Sequence, residues 1–299
     1  MVRIKFFIEL WYDVIGYPSD FIFNIHAAKT ACQSLVAEDF QVDPGIDVAL
    51  FTDSSNGNRY ARMRVEPGPL RVRYDATVDI AHHIASPNDV YEVPIALLPA
   101  EALAYIYPSR YCQSDRLCQL ANNEFGGLQH GYWRVRAIQD WVHRHTKFVS
   151  GSSNATTSAV DTLIEKVGVC RDFAHLMIAL CRALNIPARF ASGIDYGSDP
   201  AFGPTDFHAY VEVFLSGRWY LFDPSGMALP MGLIRLGNGR DAADVSFATI
   251  FGNVQSYQPL IGIEGMADEA AGITLPMACV DAISTDDLRT QLCPAERDR

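Results

Sequence analysis

Residues 167–224 restrict the folds open to this 299-residue chain more than any other part of it. An amphipathic helix pattern begins at Cys170 and is closed by Pro187. Three strand-like runs follow, and they read ARFASGID, HAYVEVFL and RWYLFDP. Only Ser216-Gly217 separates the last two runs, and a two-residue turn of this kind joins antiparallel strands. The segment therefore predicts an α+β fold in which helices pack on an antiparallel sheet.

The helix that begins at Cys170 has two different faces in the sequence. Apolar residues at helical spacing form one face, and they are Phe173, Leu176, Met177, Leu180 and Leu184. The opposite, more polar face holds Asp172, His175, Ala179 and Arg182. We expect Asp172 to cap the helix or to pair with an arginine near its start. For His175 the position favours a structural role over a catalytic one.

Residues 1–95 have the pattern of a β-rich domain. Short alternating runs occur there, and they read IKFFIEL, DVALFTD, YARMRVE and LRVRYDATVDI. Turn-forming clusters separate them, namely DPG at 43–45, SSNGN at 54–58 and PGP at 67–69. In the first run, Ile4, Phe6 and Ile8 lie on one face, while Lys5 and Glu9 lie on the other. We expect a sandwich-like or barrel-like domain.

The rest of the chain divides into a helical region, the three strands and a C-terminal extension. Prolines at 94, 99 and 108 indicate a linker. Helical spacing then predicts helices over residues 114–125, 132–145 and 159–166, the last capped by Ser158 or Thr157. We therefore expect a β-rich domain over 1–95, a core over 96–250, and an extension over 251–299 that packs on either of them.

Charge and hydropathy exclude two classes of partner. The formal net charge is −11, and no run of five basic residues occurs, which argues against nucleic-acid binding. No apolar stretch reaches the ~18 residues that a membrane span requires. Lys5 and Glu9 interrupt the N-terminal apolar run, which therefore resembles a strand more than a signal peptide. These features predict a soluble, cytoplasmic protein, and they leave its oligomeric state open.

The cysteines agree with that location. They are odd in number and scattered, at Cys32, Cys112, Cys118, Cys170, Cys181, Cys279 and Cys293. No C-x-x-C pair and no Cys/His zinc pattern occurs among them. We therefore expect free thiols in a reducing compartment, and no metal site. Cys181 has apolar neighbours on the predicted helix and is expected in the core.

Three residues, Cys170, His208 and Asp223, supply the groups that an activated cysteine nucleophile needs: a thiol, an imidazole and a carboxylate. A thiolate is the attacking form, and a helix amino terminus and a neighbouring imidazole both lower the pKa of a thiol. Cys170 begins the helix, His208 begins the strand HAYVEVFL, and Asp223 ends RWYLFDP. Because the Ser216-Gly217 turn lies at the far end of this hairpin, His208 and Asp223 are expected side by side. A carboxylate there would orient the imidazole.

The alternative acid is Asp206, two residues before His208. It lies in the predicted loop YGSDPAFGPTDF, whereas Asp223 ends a strand. We therefore prefer Asp223.

These motifs resemble the transglutaminase-like superfamily of papain-fold cysteine enzymes. The resemblance is carried by Gly-Val-Cys170-Arg-Asp, by the helix ending Ile-Pro-Ala-Arg, and by His-Ala-Tyr-Val-Glu-Val and Trp-Tyr-Leu-Phe-Asp-Pro. The segment GRDAADV at 239–245 is similar to one that follows the core in bacterial members. The resemblance implies a papain-like core of helices on an antiparallel sheet, preceded by a β-sandwich-like domain.

The same resemblance implies an activity on peptide or protein amides. It assigns the nucleophile to Cys170, the base to His208 and the orienting carboxylate to Asp223, with a thioester acyl-enzyme and no metal or organic cofactor. Hydrolysis is preferred to amine transfer because bacterial members are regarded as peptidase-like. Deglycosylation fits less well because enzymes with that activity usually carry a C-x-x-C zinc site. A silent binding module is the rival reading, although such a module has no chemical reason to keep all three residues.

The tetrahedral oxyanion needs two hydrogen-bond donors. The backbone N–H of Cys170 is one of them, because it lies at the start of the helix. The side chain of Gln113 and the indole N–H of Trp133 are the candidates for the second. We prefer Gln113, which follows the linker, where a loop could fold back over the site.

Overall fold

The computed structural model describes residues 1–197 and 205–287. Residues 198–204 of the loop before His208 lie outside the described part. So do residues 288–299, which hold Cys293 and the end of the expected C-terminal extension. The described α-helices are α1 (Ala100–Leu103), α2 (Cys118–Phe125), α3 (Tyr132–His145), α4 (Ala159–Glu165) and α5 (Cys170–Ala183).

The first half of the chain is rich in strands, as predicted. Its strands are β1 (Val2–Val14), β2 (Ser19–Phe23), β3 (Gln33–Asp43), β4 (Ala49–Thr52), β5 (Arg59–Val65), β6 (Gly68–Ile80), β7 (His83–Ala85) and β8 (Lys147–Phe148). The second half contributes β9 (Val167–Gly168), β10 (Ala188–Asp195), β11 (His208–Leu215), β12 (Arg218–Phe222), β13 (Leu233–Gly239), β14 (Ala248–Phe251), β15 (Val254–Ser256), β16 (Leu260–Met266) and β17 (Ala282–Asp287).

Two antiparallel sheets form the N-terminal sandwich. One has the order β15-β1-β6-β3, with β16 also paired to β1, and the other has the order β14-β2-β5-β4. The alternation in β1 explains the packing, because Ile4, Phe6 and Ile8 point into the apolar core between the sheets. The β-sandwich-like domain expected from the sequence is therefore present.

Glu9 lies on the outer face of β1 as predicted, yet it is buried. Its carboxylate accepts hydrogen bonds from Arg71 at 2.8 Å and Arg73 at 2.7 Å. These hydrogen bonds, that with Arg71 above all, outweigh the cost of burial and lower the pKa of Glu9 to about 2. The outer face of this sheet is therefore covered by paired charges.

The second large sheet has the order β13-β10-β11-β12-β17-β7, and its pairs are all antiparallel. Ser216 and Gly217 join β11 to β12 with positive φ angles of 47° and 82°, as a tight hairpin turn requires. The helices pack on one face of this sheet, with α5 against β10 and β11. The α+β fold class predicted from the sequence is confirmed.

The chain after residue 247 takes part in both halves of the molecule. Strand β14 pairs with β2, and both β15 and β16 pair with β1 of the sandwich. Strand β17 then pairs with β12 of the second sheet and carries β7 at the sheet edge. The last described strands therefore join the sandwich to the helix-covered sheet.

From Asp172 to Ala183 every residue of helix α5 is buried, including those on its more polar face. The face that carries Asp172, His175 and Arg182 is as inaccessible as the apolar face. The reason is that the sheet covers one side of α5, while α2, α3 and α4 surround the rest. In the described residues no helix has the length and apolar character needed to cross a membrane.

Candidate active site

Cys170 is the first residue of α5 and is partly exposed. The N-cap position is Val169, whose side chain cannot accept a hydrogen bond, and Asp172 in the first turn reaches back to the backbone of Val169. Its Oδ2 atom accepts a hydrogen bond from the backbone N–H of Val169 at 2.8 Å. The expectation that Asp172 caps the helix is confirmed. Cys170 has a backbone N–H without an intrahelical partner, because it lies in the first turn.

The close approach of Asp172 explains why a glycine occupies position 168, next to this cap. A Cβ atom on Gly168 would lie 2.7 Å from the Cβ of Asp172 and 3.1 Å from its Oδ2. The other carboxylate oxygen of Asp172 accepts a hydrogen bond from the Ser153 hydroxyl at 2.9 Å. Asp172 is therefore fixed between the helix start and the loop after β8, and both contacts hold the first turn of α5 in place.

His208 begins β11, opposite Gly193 of β10, and only 5% of its surface is exposed. The sulfur of Cys170 lies close enough to the His208 ring to favour its protonated form. The other contact of the ring is with Asp223, whose Oδ2 lies 3.4 Å from Nε2 of His208. This contact is an ion pair and lacks the geometry of a hydrogen bond. Because Nε2 faces Asp223, Nδ1 is the nitrogen available to the sulfur.

The charge state of His208 follows from these neighbours. Burial favours the neutral ring, and the Asp223 carboxylate together with the Cys170 sulfur favours the protonated ring. The second effect wins and holds the pKa of His208 well above its ordinary value of 6.5. The imidazole is therefore protonated at neutral pH, beside a cysteine sulfur.

Asp223 follows β12 and is held by its own loop. Its Oδ1 accepts hydrogen bonds from the backbone N–H of Ser225 at 3.0 Å and from the Ser225 hydroxyl at 2.6 Å. Its Oδ2 accepts from the backbone N–H of Ala228 at 2.9 Å. Burial opposes ionisation, but His208 and these donors outweigh it and lower the pKa of Asp223. The carboxylate is therefore charged and fixed in orientation.

The hairpin brings His208 and Asp223 together because of its register. Leu215 pairs with Arg218 at the turn, and Val211 pairs with Phe222. Asp223 is the next residue of this strand, so it lies near the end of β11 at which His208 stands. Asp206, the alternative acid, is exposed, and its Oδ1 accepts a hydrogen bond from Phe207.

The candidate oxyanion donors have different surroundings. Gln113 immediately precedes the 3-10 helix Ser114–Arg116, which packs against α5. Its Oε1 atom is buried and has no hydrogen-bond partner among the described residues. The indole N–H of Trp133 donates to Oδ1 of Asn88 at 2.8 Å, on an exposed surface. Of the two residues, Gln113 is the one that adjoins an element packed on the helix of Cys170.

The remaining cysteines have structural surroundings. Cys181 is fully buried in the core, as predicted, and burial raises its pKa. Cys112 is also buried and free. Cys118 is exposed and begins α2, and its Sγ donates to the carbonyl of Ser114 at 3.4 Å. Cys118 and Cys170 are therefore each the first residue of a helix, but their side chains have different partners.

Sequence reasoning missed Ser225, although a signal was present. A serine two residues after an aspartate commonly donates to its carboxylate in a turn. It also missed the contacts of Arg240 and Ala242 with α5, because these join residues 58 and 67 positions apart in the chain. Nothing in the local pattern of either segment indicates that pairing.

Two family models match the chain. Residues 119–224 match the transglutaminase-like superfamily, and residues 2–101 match the N-terminal domain of bacterial transglutaminases. The first match spans α2 to the residue after Asp223, and the second spans the sandwich strands before α2.

The chain is also similar to individual proteins. A crystal structure of a "Putative Cysteine Protease" from Cytophaga hutchinsonii is 37% identical, covers 95% of this chain and 97% of its own, and superposes with a TM-score of 0.87. An uncharacterized protein of Mycobacterium leprae is 32% identical over 117 residues, which is 38% of this chain and 42% of that protein. Human kyphoscoliosis peptidase is 26% identical over 127 residues, which is 40% of this chain and 19% of the peptidase. The chain thus matches less than half of the length of these curated relatives.

Proposed function

The chain belongs to the transglutaminase-like superfamily, and on that premise we propose that it is a cysteine-dependent amide hydrolase acting on peptides or proteins. Cys170 is the nucleophile, His208 the general acid and base, and Asp223 the orienting carboxylate. The observation that carries the proposal is the buried imidazole of His208, which lies 3.4 Å from the carboxylate of Asp223 and whose protonated form the nearby sulfur of Cys170 also favours. No cofactor is required, because the thiol, imidazole and carboxylate perform every step.

Acylation begins with attack of the Cys170 sulfur on the amide carbonyl carbon. A C–S bond forms, and the carbonyl electron pair moves to oxygen as an oxyanion. When the oxyanion collapses, the C–N bond breaks and protonated His208 gives its proton to the departing amine. A thioester and a neutral imidazole remain. The charged Asp223 holds the ring so that the same nitrogen serves both the sulfur and the leaving group.

Deacylation reverses the roles. Neutral His208 takes a proton from water, and the resulting hydroxide oxygen attacks the thioester carbonyl. Collapse of this second oxyanion breaks the C–S bond, which releases a carboxylic acid and restores the thiolate beside protonated His208. An amine in place of water would give a new amide by the same steps, which is the transglutaminase alternative.

The oxyanion in both steps needs two donors. The backbone N–H of Cys170 is the first, because the first turn of α5 leaves it without an intrahelical partner. The side-chain amide of Gln113 is our proposed second donor. Its support is the packing of the adjacent 3-10 helix on α5 and the lack of a hydrogen-bond partner for its buried side-chain oxygen within the described residues.

Digestion of a peptide library, with and without added glycine ethyl ester, tests the proposal. The wild type should release peptides with new carboxylates, and Cys170→Ala should release none. Cys118→Ser is the matched control, because Cys118 also begins a helix and is exposed. Amine adducts on glutamine with little hydrolysis would show that the protein is a transglutaminase and would reject the peptidase assignment. No product of either kind would favour a binding module.

The cytoplasm remains our proposal for where the protein acts. Its support is the free thiols of Cys112, Cys118, Cys170, Cys181 and Cys279 in the described residues, among which Cys118 is exposed. Cell fractionation with thiol labelling tests it, and recovery in an oxidising compartment would reject it.

A further inference from the structure

His175 lies in the second turn of α5 and is completely buried. Its Nε2 atom accepts a hydrogen bond from the backbone N–H of Ala242 at 3.2 Å. Its ring also stacks on Tyr111, with ring centroids 5.0 Å apart. Burial, and then the charges of Arg171 and Arg182, hold the pKa of His175 well below its ordinary value. The ring is therefore neutral, and Nε2 is available as an acceptor.

Asp241, the neighbour of Ala242, is buried as well. Its Oδ2 atom accepts a hydrogen bond from the backbone N–H of Tyr111 at 2.9 Å. Its Oδ1 accepts from the N–H of Ala243 at 3.0 Å. The carboxylate thus fixes the backbone two residues before Gln113, while the next residue along the chain binds α5.

Arg182, near the end of α5, ties the same two segments together. Its guanidinium is 2% exposed and donates to the carbonyl oxygens of Tyr107 at 3.1 Å and Arg240 at 2.6 Å. Burial lowers the pKa of Arg182, and the neighbouring charge of Asp241 opposes that effect. Helix α5, the loop before Gln113 and residues 240–242 therefore meet at three separate points.

The N-terminal sandwich reaches the same segment through the turn between β4 and β5. Asn58 donates from Nδ2 to the carbonyl of Asn238 at 2.9 Å and accepts at Oδ1 from the N–H of Asn238 at 2.9 Å. Asn238 donates from Nδ2 to the carbonyl of Asn56 at 3.0 Å. These hydrogen bonds join the sandwich to the residues that hold α5.

We propose that residues 238–242 are a clamp through which the sandwich domain positions the Cys170 helix, with Asp241 and His175 as positioning residues for the reaction. The proposal rests on the function assigned above. Helix α5 carries Cys170, while His208 belongs to β11 against which α5 packs. A small displacement of α5 along β11 changes the distance between the sulfur and the imidazole, and a misplacement of about 1 Å can cost about 10²-fold in rate.

Four variants test the clamp. His175→Leu removes the acceptor for Ala242, and His175→Gln keeps an acceptor oxygen near the position of Nε2. Asp241→Asn keeps the shape of Asp241 but replaces one acceptor oxygen by a donor. The control is Asp20→Asn, because its carboxylate pairs with exposed Arg64 on strands β2 and β5, outside residues 238–242.

The readouts are kcat and KM with 4-nitrophenyl acetate, the alkylation rate of Cys170 by iodoacetamide, and the Tm of each variant. All rates are measured well below the lowest Tm. For His175→Leu and Asp241→Asn we expect at least a tenfold fall in kcat and in the alkylation rate, with KM unchanged, by the positioning argument above. The variants His175→Gln and Asp20→Asn should match the wild type.

A fall in Tm without a change in kcat or in the alkylation rate would overturn the clamp and leave only a structural contact. Failure of His175→Gln to restore the alkylation rate would overturn it too. This comparison of the two His175 variants still tests the clamp if Asp241→Asn does not fold. If the wild type hydrolyses neither ester nor peptide, the proposed function fails. The alkylation rate of Cys170 still tests the clamp in that case, because it needs no turnover.

Discussion

Nε2 of His208 lies 3.4 Å from Oδ2 of Asp223, and the two side chains are both almost completely buried. Burial alone would favour a neutral imidazole and a neutral acid. The pair instead keeps the pKa of His208 high and that of Asp223 low, since each charge stabilises the other. The cationic ring is thereby placed beside Cys170, and its charge depends on Asp223.

Replacement of Asp223 by Asn should remove the negative charge of the carboxylate while keeping the shape of the side chain. The pKa of His208 should fall, because burial is then opposed only by Cys170. We expect kcat/KM to fall by at least ~10²-fold, as for loss of an effective general acid and base. NMR titration of the His208 ring measures the pKa directly, and an unchanged value would show that Asp223 does not control the ring.

Gly168→Ala should disturb the first turn of α5. The new Cβ atom would lie 2.7 Å from the Cβ of Asp172, so the capping carboxylate has to move. We expect a loss of about 1–3 kcal/mol in the free energy of unfolding, as in other overpacked sites, together with slower alkylation of Cys170. Gly127→Ala is the control, because a Cβ atom there meets nothing within 4 Å. Equal urea midpoints for the two variants would contradict the steric argument.

The alkaline side of the stability curve should depend on His208. Its folded pKa lies above 6.5, so its contribution is fully present below pH 6.5 and is lost as pH rises through the folded pKa. His208→Gln should therefore flatten the decrease in the free energy of unfolding on going from pH 6 to alkaline pH. Urea denaturation of both proteins across this range gives the comparison, and parallel curves would rule out the linkage.

His26 should act on the acid side with the opposite sign. It is buried between Phe40 and Tyr74, and its two ring nitrogens have no hydrogen-bond partner among the described residues. Burial, helped by the charge of Arg59, lowers its pKa to about 4. The unfolded chain therefore binds a proton more readily, and stability should fall as pH drops from 6.5 to 4, by up to about 1.4 kcal/mol per pH unit.

His26→Phe tests this second linkage by removing the titrating group from an aromatic site. The variant should lose less free energy of unfolding between pH 6.5 and pH 4 than the wild type does. Phe40→Leu supplies the control, because it alters the same aromatic site without removing a titrating group and should leave the slope between pH 6.5 and pH 4 unchanged. If the free energy of unfolding falls equally between pH 6.5 and pH 4 in His26→Phe and the wild type, other groups cause the loss of stability at acid pH.

The strands β10 and β11 were predictable to the residue because the sequence marks their ends. Pro187 precedes β10, and the Ser216-Gly217 turn follows β11. Strand β13 was not predictable, since its LIRLGNG sequence contains residues that are depleted in strands. Pairing with β10 and hydrogen bonds between Asn58 and the backbone of Asn238 make it a strand. Such partners are distant in sequence.

In the candidate site, too, features set by the local sequence were predictable, and features set by distant residues were not. The positions of Cys170, His208 and Asp223 follow from a helix start and a hairpin, which are local features. The burial of His175 and Arg182 depends on residues 107–111 and 240–242, and nothing near α5 in the sequence indicates those contacts. A polar residue on a helix was therefore read as a polar face, while the fold supplies a buried partner for it.

The most direct test compares alkylation of Cys170 and Cys118 by iodoacetamide at pH 6, in the wild type and in His208→Ala. Both thiols begin a helix, but only Cys170 contacts an imidazole held by a carboxylate, and Cys118 donates to the Ser114 carbonyl. We predict that Cys170 reacts at least tenfold faster than Cys118 in the wild type, because the imidazolium stabilises its thiolate, and that His208→Ala removes the difference. Equal rates for the two cysteines in the wild type would contradict the assignment of Cys170 as the nucleophile.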